Sequence, residues 1–444
     1  MRRTVGNKVT KKTLKLKTIK SFCGVLAVLA LTACSNNDEA TGNDSHLWDV
    51  TLTASMGGAT NRALSEETDN TLTATFAEND KVVVVDADGK TIVGTLQAQS
   101  AGASTTLSGT MDESSLSVGE IVTLRYLSAE ANYDDQKGTL DGISASQDYA
   151  EGTLTVSSKS PLTFTTSNVT LTSKQSITKF SFTDGTNDVM VKTFGIAATG
   201  LVQHIATNGD ETVGAVTGTL PSPSADVYVA LRNNSGSKQT YSFYIKDNAG
   251  NWYTGTKSAN LGNGKNYTAT VLLQKLPELT SSSAIGDIGV LDGRPAIVAN
   301  IKSEKKAIAL INDDALCPED YGGYYAFDSA PTGTTGWYIP SGDELDGLDD
   351  NPYTWSTQNG VNGCLFTVGQ GNTLFLPAAG FFDNEYDPDK LSDGGAGGFY
   401  WSSTSYNKDL ASILHFNSET VNYTTSDYKI DHLSVRHFHT LPGA

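Results

Sequence analysis

The 444-residue sequence predicts a mainly β fold. Apolar runs are short and often alternate with polar residues, as in Trp48-Asp49-Val50-Thr51-Leu52-Thr53-Ala54, where a period of two is typical of a half-buried strand. Threonine, serine and glycine are abundant, and we find almost no convincing helical periodicity before residue 300. A chain of this length is expected to contain about two to four domains.

The first 33 residues have the pattern of an export signal. Residues 1–20 contain no acidic residue and eight basic ones: Arg2, Arg3, Lys8, Lys11, Lys12, Lys15, Lys17 and Lys20. An apolar run over residues 22–31 follows, shorter than the ~20 residues that a membrane-spanning helix needs. The run ends at Leu31-Thr32-Ala33-Cys34, which resembles the lipobox of bacterial lipoprotein precursors.

The lipobox resemblance implies that residues 1–33 are a lipoprotein signal peptide and that Cys34 is lipidated and becomes the first residue. The alternative is an ordinary secretory signal in which the cysteine occurs by chance. Several acyl chains on one cysteine would anchor the chain firmly, since each buried CH₂ contributes ~0.8 kcal/mol. Residues 34–46 are polar and are predicted to be a flexible tether.

The net charge limits the partners that the chain can have. The whole sequence carries −18, and loss of the eight basic residues of the signal leaves about −26. Such a surface repels nucleic acid, so we expect no nucleic-acid partner. Two of the four cysteines, Cys317 and Cys364, lie beyond the signal and the lipobox, and could form a disulfide in an exported protein.

Residues 47–159 are predicted to form the first β domain. Trp48, Val50 and Leu52 share one face of its opening strand. Arg62 lies in the loop that follows and is the only Lys or Arg between the signal and residue 81. On its own, this arginine is equally consistent with a solvated loop residue.

Residues 160–275 are predicted to form a second β domain. Apolar and β-branched residues indicate strands near residues 169–171, 177–182, 226–231 and 241–245. A glycine turn then precedes a strong final strand over residues 266–273.

This order of features resembles the fimbrillin family, the type V pilins of Gram-negative gut and oral bacteria. The features are the lipobox, the tether, one strand, a loop with a lone arginine, a Phe76-x-x-x-Asp80 hairpin, and a second β domain ending in Lys265-Asn266-Tyr267-x-x-x-Val271-x-Leu273. The resemblance covers about residues 31–275. It implies a lipoprotein precursor with two β-sandwich, pilin-like domains.

The same resemblance implies a mechanism of assembly. A trypsin-like protease would cut between Arg62 and Ala63 and release the strand that carries Trp48, Val50 and Leu52. A neighbouring subunit would then fill the apolar groove with a strand of its own.

The last third of the chain differs in composition. Residues 276–289 are predicted to be a linker, and residues 290–444 a separate domain. Ser341 followed by Glu344 is a capping box, which predicts that a short helix begins there. Three blocks occur in order: Gly336-Trp337-x-x-Pro340-Ser341-x-x-Glu344, Tyr400-Trp401-Ser402-Ser403-Thr404 and Ser434-Val435-Arg436.

These blocks resemble the major-paralogous domains of bacterial surface proteins over about residues 290–441, which implies a C-terminal α+β, C-type-lectin-like domain. Its aromatic residues Trp337, Tyr338, Tyr400 and Trp401 lie close to glycines, which favours a role in the core. The segment Tyr321-Gly322-Gly323-Tyr324-Tyr325 is predicted instead to be an exposed loop suited to contact surfaces.

Two groups of residues could hold a metal ion. Asp383, Glu385, Asp387 and Asp389 alternate in one loop, which can surround Ca²⁺ but is more typical of a solvated acidic loop. His437 and His439 lie two apart with His415 and His432 nearby, but no third zinc ligand is identified. We therefore expect no cofactor, with calcium as the alternative. The sequence contains no nucleophile elbow, Walker loop or His-Glu-x-x-His motif, so we expect the chain not to be an enzyme.

Two functional hypotheses follow. The first is a surface-exposed fimbrial tip adhesin, held at the outer membrane through Cys34 before processing and assembled into the fimbrium by protease-triggered strand exchange. Its partners would be other fimbrial subunits and a host or bacterial surface ligand, for example a glycan. The alternative is a non-polymerising lipoprotein that stays anchored and binds a glycan or a protein.

Overall fold

Strands dominate the regular structure, with 55% of the described residues in strands and 5% in helix, which confirms the predicted mainly β fold. The computed structural model describes residues 46–57, 75–384, 386–388 and 390–442. Within these ranges, no helix has the length and apolar composition needed to cross a membrane. The described residues from His46 onward belong to one compact unit.

The first sheet contains eight strands around one apolar core. In chain order, residues 47–173 form β1 (Leu47–Gly57), β2 (Lys81–Val85), β3 (Ile92–Ala98), β4 (Ser104–Asp112), β5 (Ile121–Tyr126), β6 (Ala131–Asn132), α1 (Leu140–Ser146), β7 (Ala150–Lys159), β8 (Leu162–Phe164) and β9 (Asn168–Ser173). The sheet order is β5-β2-β3-β4-β1-β9-β7-β8, and β5 also pairs with β7. The strand pairing therefore closes on itself around buried residues such as Leu52, Val84 and Leu124.

The chain crosses between the first two β regions more than once, so the predicted boundary at residues 159/160 is wrong. β9 contains residues 169–171, but it pairs in parallel with β1 and belongs to the first sheet. Conversely, Ala131, Tyr133 and Ile143 precede residue 160 but pack in the core of the second sheet. Such short segments carry too little periodicity to indicate which sheet they join.

The second sheet confirms the strands predicted near residues 177–182, 226–231, 241–245 and 266–273. Its strands are β10 (Ser176–Thr183), β11 (Val191–Ala197), β12 (Leu201–Ile205), β13 (Glu211–Val213), β14 (Val216–Ser224), β15 (Asp226–Asn233), β16 (Gln239–Asp247), β17 (Trp252–Ala259) and β18 (Asn266–Lys275). The order is β13-β12-β15-β10-β18-β17-β16-β11-β14, with β6 added to β12. Phe180 of β10 and Phe243 of β16 have ring centroids only 5.0 Å apart although two strands separate them, so the sheet folds over its core.

The C-terminal region combines several small sheets with two short helical elements. Its elements are β19 (Ile288–Leu291), β20 (Arg294–Ile301), β21 (Glu304–Ala309), a 3-10 helix (Phe327–Ser329), β22 (Trp337–Tyr338), α2 (Gly342–Asp346), a 3-10 helix (Gly347–Asp350), β23 (Tyr353–Gln358), β24 (Val361–Gly369), β25 (Asn372–Pro377), β26 (Phe381–Phe382), β27 (Leu391–Ser392), β28 (Gly397–Ser405), β29 (Leu410–Asn417), β30 (Val421–Tyr428) and β31 (Phe438–Thr440). The largest sheet has the order β19-β20-β21-β31-β22, and β28-β29-β30 form another. A C-type-lectin-like fold for this region stays a prediction.

The predicted capping box is present at the start of α2. The side chain of Ser341 accepts a hydrogen bond from the backbone N–H of Glu344 at 3.2 Å. The backbone N–H of Ser341 donates to Glu344 Oε2 at 3.0 Å. These reciprocal bonds satisfy two amide groups that the helix itself cannot pair.

Residues 276–289 pack against the rest of the chain and are not the free linker that the sequence predicted. The N–H of Leu279 donates to Val290 O at 2.7 Å, and the Leu279 side chain is buried beside Trp337. Trp252 of β17 donates from Nε1 to Gly293 O at 2.9 Å and packs against Val290. A buried apolar contact therefore joins the C-terminal region to the second sheet.

Candidate functional site: the first strand and its groove

β1 lies in the interior of the first sheet, with a hydrogen-bonded neighbour on each side. On one side it pairs antiparallel with β4, from Leu47 opposite Asp112 to Ser55 opposite Ser104. On the other side it pairs in parallel with β9, but only from Thr53 onward. Removal of β1 would therefore leave two strands with unpaired N–H and C=O groups on either side of one gap.

The alternation predicted for the opening strand is present in β1. Val50 and Leu52 are buried in the core of the first sheet, and Trp48 is half-buried against it. Thr51, between these two residues, and Thr53, directly after Leu52, are exposed. Burial of each aliphatic side chain stabilises the strand by about 1.5–3 kcal/mol, so the apolar face contributes much of what holds β1 in place.

The N-terminal half of β1 has an opening on the side where β9 does not reach. A cavity of about 360 Å³ lies there, between residues 49–52 of β1 and residues 162–167. Phe164 of β8 is half-buried against the core at this opening. The groove that holds β1 is thus accessible along part of its length.

Polar contacts fix the register of β1. At its start, His46 Nδ1 lies 2.9 Å from Glu113 Oε1, and Lys159 Nζ lies 2.9 Å from the other oxygen of the same carboxylate. The hydrogen bonds from His46 and Lys159 lower the pKa of Glu113. Toward the end of the strand, Ser104 Oγ donates to Ala54 O at 3.0 Å. These contacts oppose a sliding movement that would turn the apolar face toward solvent.

The structure places part of the predicted processing site. The three residues predicted to be displaced, Trp48, Val50 and Leu52, all lie on the core-facing side of β1. Cys34, Arg62 and Ala63 lie outside the described residues. Gly57 ends β1 only five positions before Arg62, so a cut after Arg62 would separate β1 from every later strand.

The possible disulfide between Cys317 and Cys364 is not formed. Both cysteines are buried and free. Cys317 packs with Ala197 and Ala215 of the second β region, whereas Cys364 packs in the core of the C-terminal region. Burial raises the pKa of both thiols, which keeps them protonated and unreactive.

A buried carboxylate lies next to Cys317, where the C-terminal region meets the second sheet. Glu319 is 4% exposed, and its Oε1 accepts from Asn359 Nδ2 at 2.7 Å, while Oε2 has no hydrogen-bond partner. Burial raises the pKa of Glu319 to about 7. Tyr244 of β16 faces the same group, and its own pKa is raised by burial and by the charge of Glu319. Glu319 is not among the candidate residues that the sequence predicted.

The candidate metal ligands do not form a site in the part of the chain that the structure describes. Among those residues, no three His, Cys, Asp or Glu side chains are arranged to hold a metal ion. Of the calcium candidates, Asp383 and Asp387 are described, whereas Glu385 and Asp389 lie outside the described residues. Calcium therefore stays a prediction that the structure tests only in part.

The predicted zinc ligands make other contacts. The Nδ1 atom of His437 lies 2.9 Å from Arg294 Nη1, and its Nε2 atom lies 2.8 Å from Pro331 O. Nε2 of His439 lies 3.0 Å from an oxygen of Asp292. His415 stacks on Phe399, and His432 pairs through its backbone with Phe382. Both ring nitrogens of His437 are engaged beside a cationic side chain, so the zinc hypothesis is wrong for this group.

The aromatic residues of the sequence blocks in the C-terminal region serve its core, as their position beside glycines predicted. Trp337 donates from Nε1 to Leu291 O at 3.1 Å. Trp401 is buried and donates to Tyr325 O at 2.6 Å. Neither indole is exposed for stacking on a ligand.

Arg436 of the third block is buried without a carboxylate partner among its hydrogen bonds. Its guanidinium donates to Asn312 Oδ1 at 2.9 Å, to Ala309 O at 2.8 Å and to Phe375 O at 3.2 Å. Burial lowers the pKa of Arg436 to about 10. The arginine thus joins β21, β25 and the segment before β31 through backbone carbonyls.

The loop of residues 321–325 is not the exposed contact loop that the sequence predicted. Tyr324 donates to Ala379 O at 2.6 Å and stacks edge-on with Phe382. Tyr325 donates to Asp313 and Asp314 at 3.0 and 2.5 Å. Because these hydroxyl groups find internal acceptors, the rings pack against the domain.

Comparison with known proteins gives one family match, over part of the C-terminal region. A family described as a domain of unknown function (DUF8237) matches residues 350–438. No curated protein matches the chain.

Among solved structures, the chain is similar to a fimbrial protein from Bacteroides ovatus, with 13% identity, a TM-score of 0.21, and coverage of 89% of this chain and 99% of that chain. It is also similar to a candidate cell adhesion protein from Bacteroides uniformis, with 12% identity, a TM-score of 0.31, and coverage of 51% and 96%. A fimbrial assembly protein from Parabacteroides distasonis gives 10% identity, a TM-score of 0.25, and coverage of 52% and 95%.

Proposed function

We propose that the chain is a cell-surface fimbrial subunit in which β1 is exchanged for a strand of a neighbouring subunit. The observation that carries this proposal is the interior position of β1, between β4 and β9. A sheet that loses an interior strand exposes an apolar groove and two unpaired edges, and an added strand restores both.

Export and processing complete the proposal. The sequence at Cys34 supports a lipoprotein held at the outer membrane, and Arg62 offers the cleavage site. Because Arg62 follows β1 closely, cleavage there releases the anchor and the strand together. The partly open groove beside residues 49–52 gives an incoming strand a place to start.

The second β region supports a position at the fimbrial tip. Its last strand, β18, lies between β10 and β17 inside the second sheet. The chain continues from Lys275 into residues 276–289, which pack against β19 and Trp337, and then into the C-terminal region. No free strand is available among these described residues to enter a neighbour, so the subunit can receive a strand but cannot donate one.

The mass of the native mature protein tests the processing step. We expect a chain that begins at Ala63 and carries no lipid. Limited trypsin treatment of the folded precursor should cut first at Arg62, and the variant Arg62→Gln should keep the lipidated N-terminus. An acylated Cys34 in the final form would instead support the alternative, a lipoprotein that stays anchored and never polymerises. The buried contact between the second sheet and the C-terminal region is compatible with that alternative.

Gold labelling of the C-terminal region on native filaments tests the tip position. We expect label at one end of each filament, because the subunit stops growth in one direction. Label spaced along the shaft would contradict the tip position while leaving strand exchange intact. Absence of label from filaments altogether would support the anchored alternative.

A further inference from the structure

Three of the most exposed aromatic side chains in the described residues belong to the C-terminal region. Tyr386 is 80% exposed, Tyr406 70% and Tyr428 50%, and Ile430 beside Tyr428 is also exposed. Large apolar or aromatic groups are seldom left in solvent together unless the surface has a partner. We refer to Tyr386, Tyr406, Tyr428 and Ile430 as the tyrosine face.

Backbone contacts bring the three tyrosines onto one cluster of loops. Leu410 pairs with Tyr428, and the N–H of Tyr406 donates to Leu410 O at 2.9 Å. The next turn is linked to Tyr428 through the N–H of Asp431, which donates to Tyr428 O at 2.9 Å. Asp431 Oδ1 in turn accepts from the N–H of Asn384, two residues before Tyr386.

The same loops are fixed by further hydrogen bonds. Phe382 and His432 exchange two backbone hydrogen bonds of 3.0 Å each. The N–H of Tyr386 donates to Asp383 Oδ1 at 3.0 Å. The N–H of Lys429 donates to Asp409 O at 2.9 Å. A surface ordered before binding loses little conformational entropy when a partner arrives, and tyrosine adds contact area with few rotatable bonds.

The described residues around the tyrosine face include more acidic than basic side chains. In its loops, Asp383, Asp387, Asp409, Asp427 and the buried Asp431 are acidic, against Lys390, Lys408 and Lys429. One of the lysines, Lys429, is already engaged, with Nζ 5.0 Å from the centre of the Phe327 ring and 2.7 Å from Ser405 Oγ. Lys408 lies 3.6 Å from Asp409, which offsets its charge. The face therefore attracts cations and repels anionic glycans.

We propose that the tyrosine face binds a protein partner through arginine side chains. A guanidinium group stacks on tyrosine rings and forms paired hydrogen bonds with carboxylates. Asp387 and Asp409 are exposed in the same loops as Tyr386 and Tyr406. A lysine offers a point charge without the planar fork, so arginine is the cation that the combination favours. This inference names a partner chemistry for the proposed adhesin, but it does not depend on strand exchange.

Binding of nona-arginine and nona-lysine peptides to the full chain at 150 mM salt tests the proposal. We expect the arginine peptide to bind at least about fivefold more tightly than the lysine peptide. The triple variant Tyr386→Ser, Tyr406→Ser, Tyr428→Ser keeps the net charge and should weaken arginine binding about tenfold or more. Tyr353→Ser, a half-exposed tyrosine of β23, is the matched control and should bind like the parent.

Three outcomes would overturn the proposal. Equal affinity for the two peptides would mean that the acidic surface acts through charge alone. Unchanged arginine binding by the triple variant would exclude the tyrosines. Retention of a neutral glycan by the parent but not by the triple variant, with no arginine preference, would assign the face to sugar binding. None of these outcomes depends on cleavage at Arg62, so they are separate from a failure of the proposed assembly mechanism.

Discussion

A synthetic peptide of residues 46–57 should bind tightly to a chain that begins at Ala63. This truncated chain lacks β1 and exposes the groove between β4 and β9. The peptide can restore the pairing with β4 and β9 and bury the same apolar face. We expect a submicromolar Kd, on the order of −8 kcal/mol or better, measured by fluorescence anisotropy of a labelled peptide.

Two peptide variants distinguish specific burial of the apolar face of the peptide from nonspecific binding. Val50→Ala with Leu52→Ala removes buried side chains and should cost about 4–6 kcal/mol, or roughly a thousandfold or more in Kd. Thr51→Ala with Thr53→Ala changes two exposed positions of the same strand and should cost less than about 1 kcal/mol. Equal binding by both variants would contradict placement of the peptide in the β1 groove.

The intact chain gives an independent measurement should the truncated chain not fold. Leu52→Ala in the full chain should lower the free energy of unfolding by about 2–5 kcal/mol, because Leu52 is buried in the first core. Thr53→Ala is again the matched control. An effect of Leu52→Ala no larger than that of Thr53→Ala would mean that β1 contributes little to the core.

Local pattern was sufficient to predict β1 and the capping box. Alternation over residues 48–54 has one physical explanation, a strand with one buried face, and the structure buries that face. Ser341 and Glu344 satisfy each other's backbone groups within one turn of the chain, so their effect does not depend on tertiary context.

Features that depend on distant partners could not be predicted. β9 pairs with β1 across more than a hundred residues, and nothing in the sequence of residues 168–173 specifies this partner. The same limit applies to Cys317 and Cys364, because the number of intervening residues says nothing about whether two thiols lie in one core. Burial of residues 276–289 likewise depends on Trp337 and Trp252, which neighbouring residues do not reveal.

For a related reason, the sequence predicted exposed aromatic residues in the wrong loop. Glycines around Tyr324 and Tyr325 suggested an exposed contact loop, but Ala379 O and Asp313 accept hydrogen bonds from the two hydroxyl groups. The most exposed tyrosines among the described residues are Tyr386, Tyr406 and Tyr428 instead. Whether a tyrosine is buried depends on a hydrogen-bond partner for its hydroxyl group, and that partner is supplied by the fold.

Ionisation of Glu319 should make the junction between the second sheet and the C-terminal region sensitive to pH. The folded state raises the pKa of this carboxyl group from 4.5 to about 7, because burial disfavours its charged form. The folded state therefore binds the proton more tightly than the unfolded state. The resulting stability is fully present below about pH 4.5 and is lost as the pH rises through 7. A shift of this size corresponds to at most about 3 kcal/mol.

The pKa values of neighbouring groups at this junction are raised as well. Burial raises the pKa of Asp320 to about 6, and the charge of Asp134 from the second β region adds to the shift. Tyr244 and Cys317, which face Glu319, have pKa values raised well above their usual range and stay neutral at pH 8. The hydrogen bond from Asn359 favours the charged form of Glu319 but does not outweigh the effect of burial on its pKa.

The substitution Glu319→Gln should remove the contribution of Glu319 to this pH dependence, leave that of Asp320, and stabilise the protein at high pH. Glutamine keeps an oxygen that can accept from Asn359 Nδ2 but cannot ionise. At pH 8 we expect the free energy of unfolding to rise by roughly 1–3 kcal/mol over the parent, and at pH 4.5 to differ by less than about 1 kcal/mol. Urea unfolding followed by tryptophan fluorescence at intervals between pH 4.5 and 8 measures the difference. The exposed Glu304→Gln serves as the matched control and should give a difference near zero throughout. A difference between Glu319→Gln and the parent that stays constant across this range would show that Glu319 does not ionise at the junction.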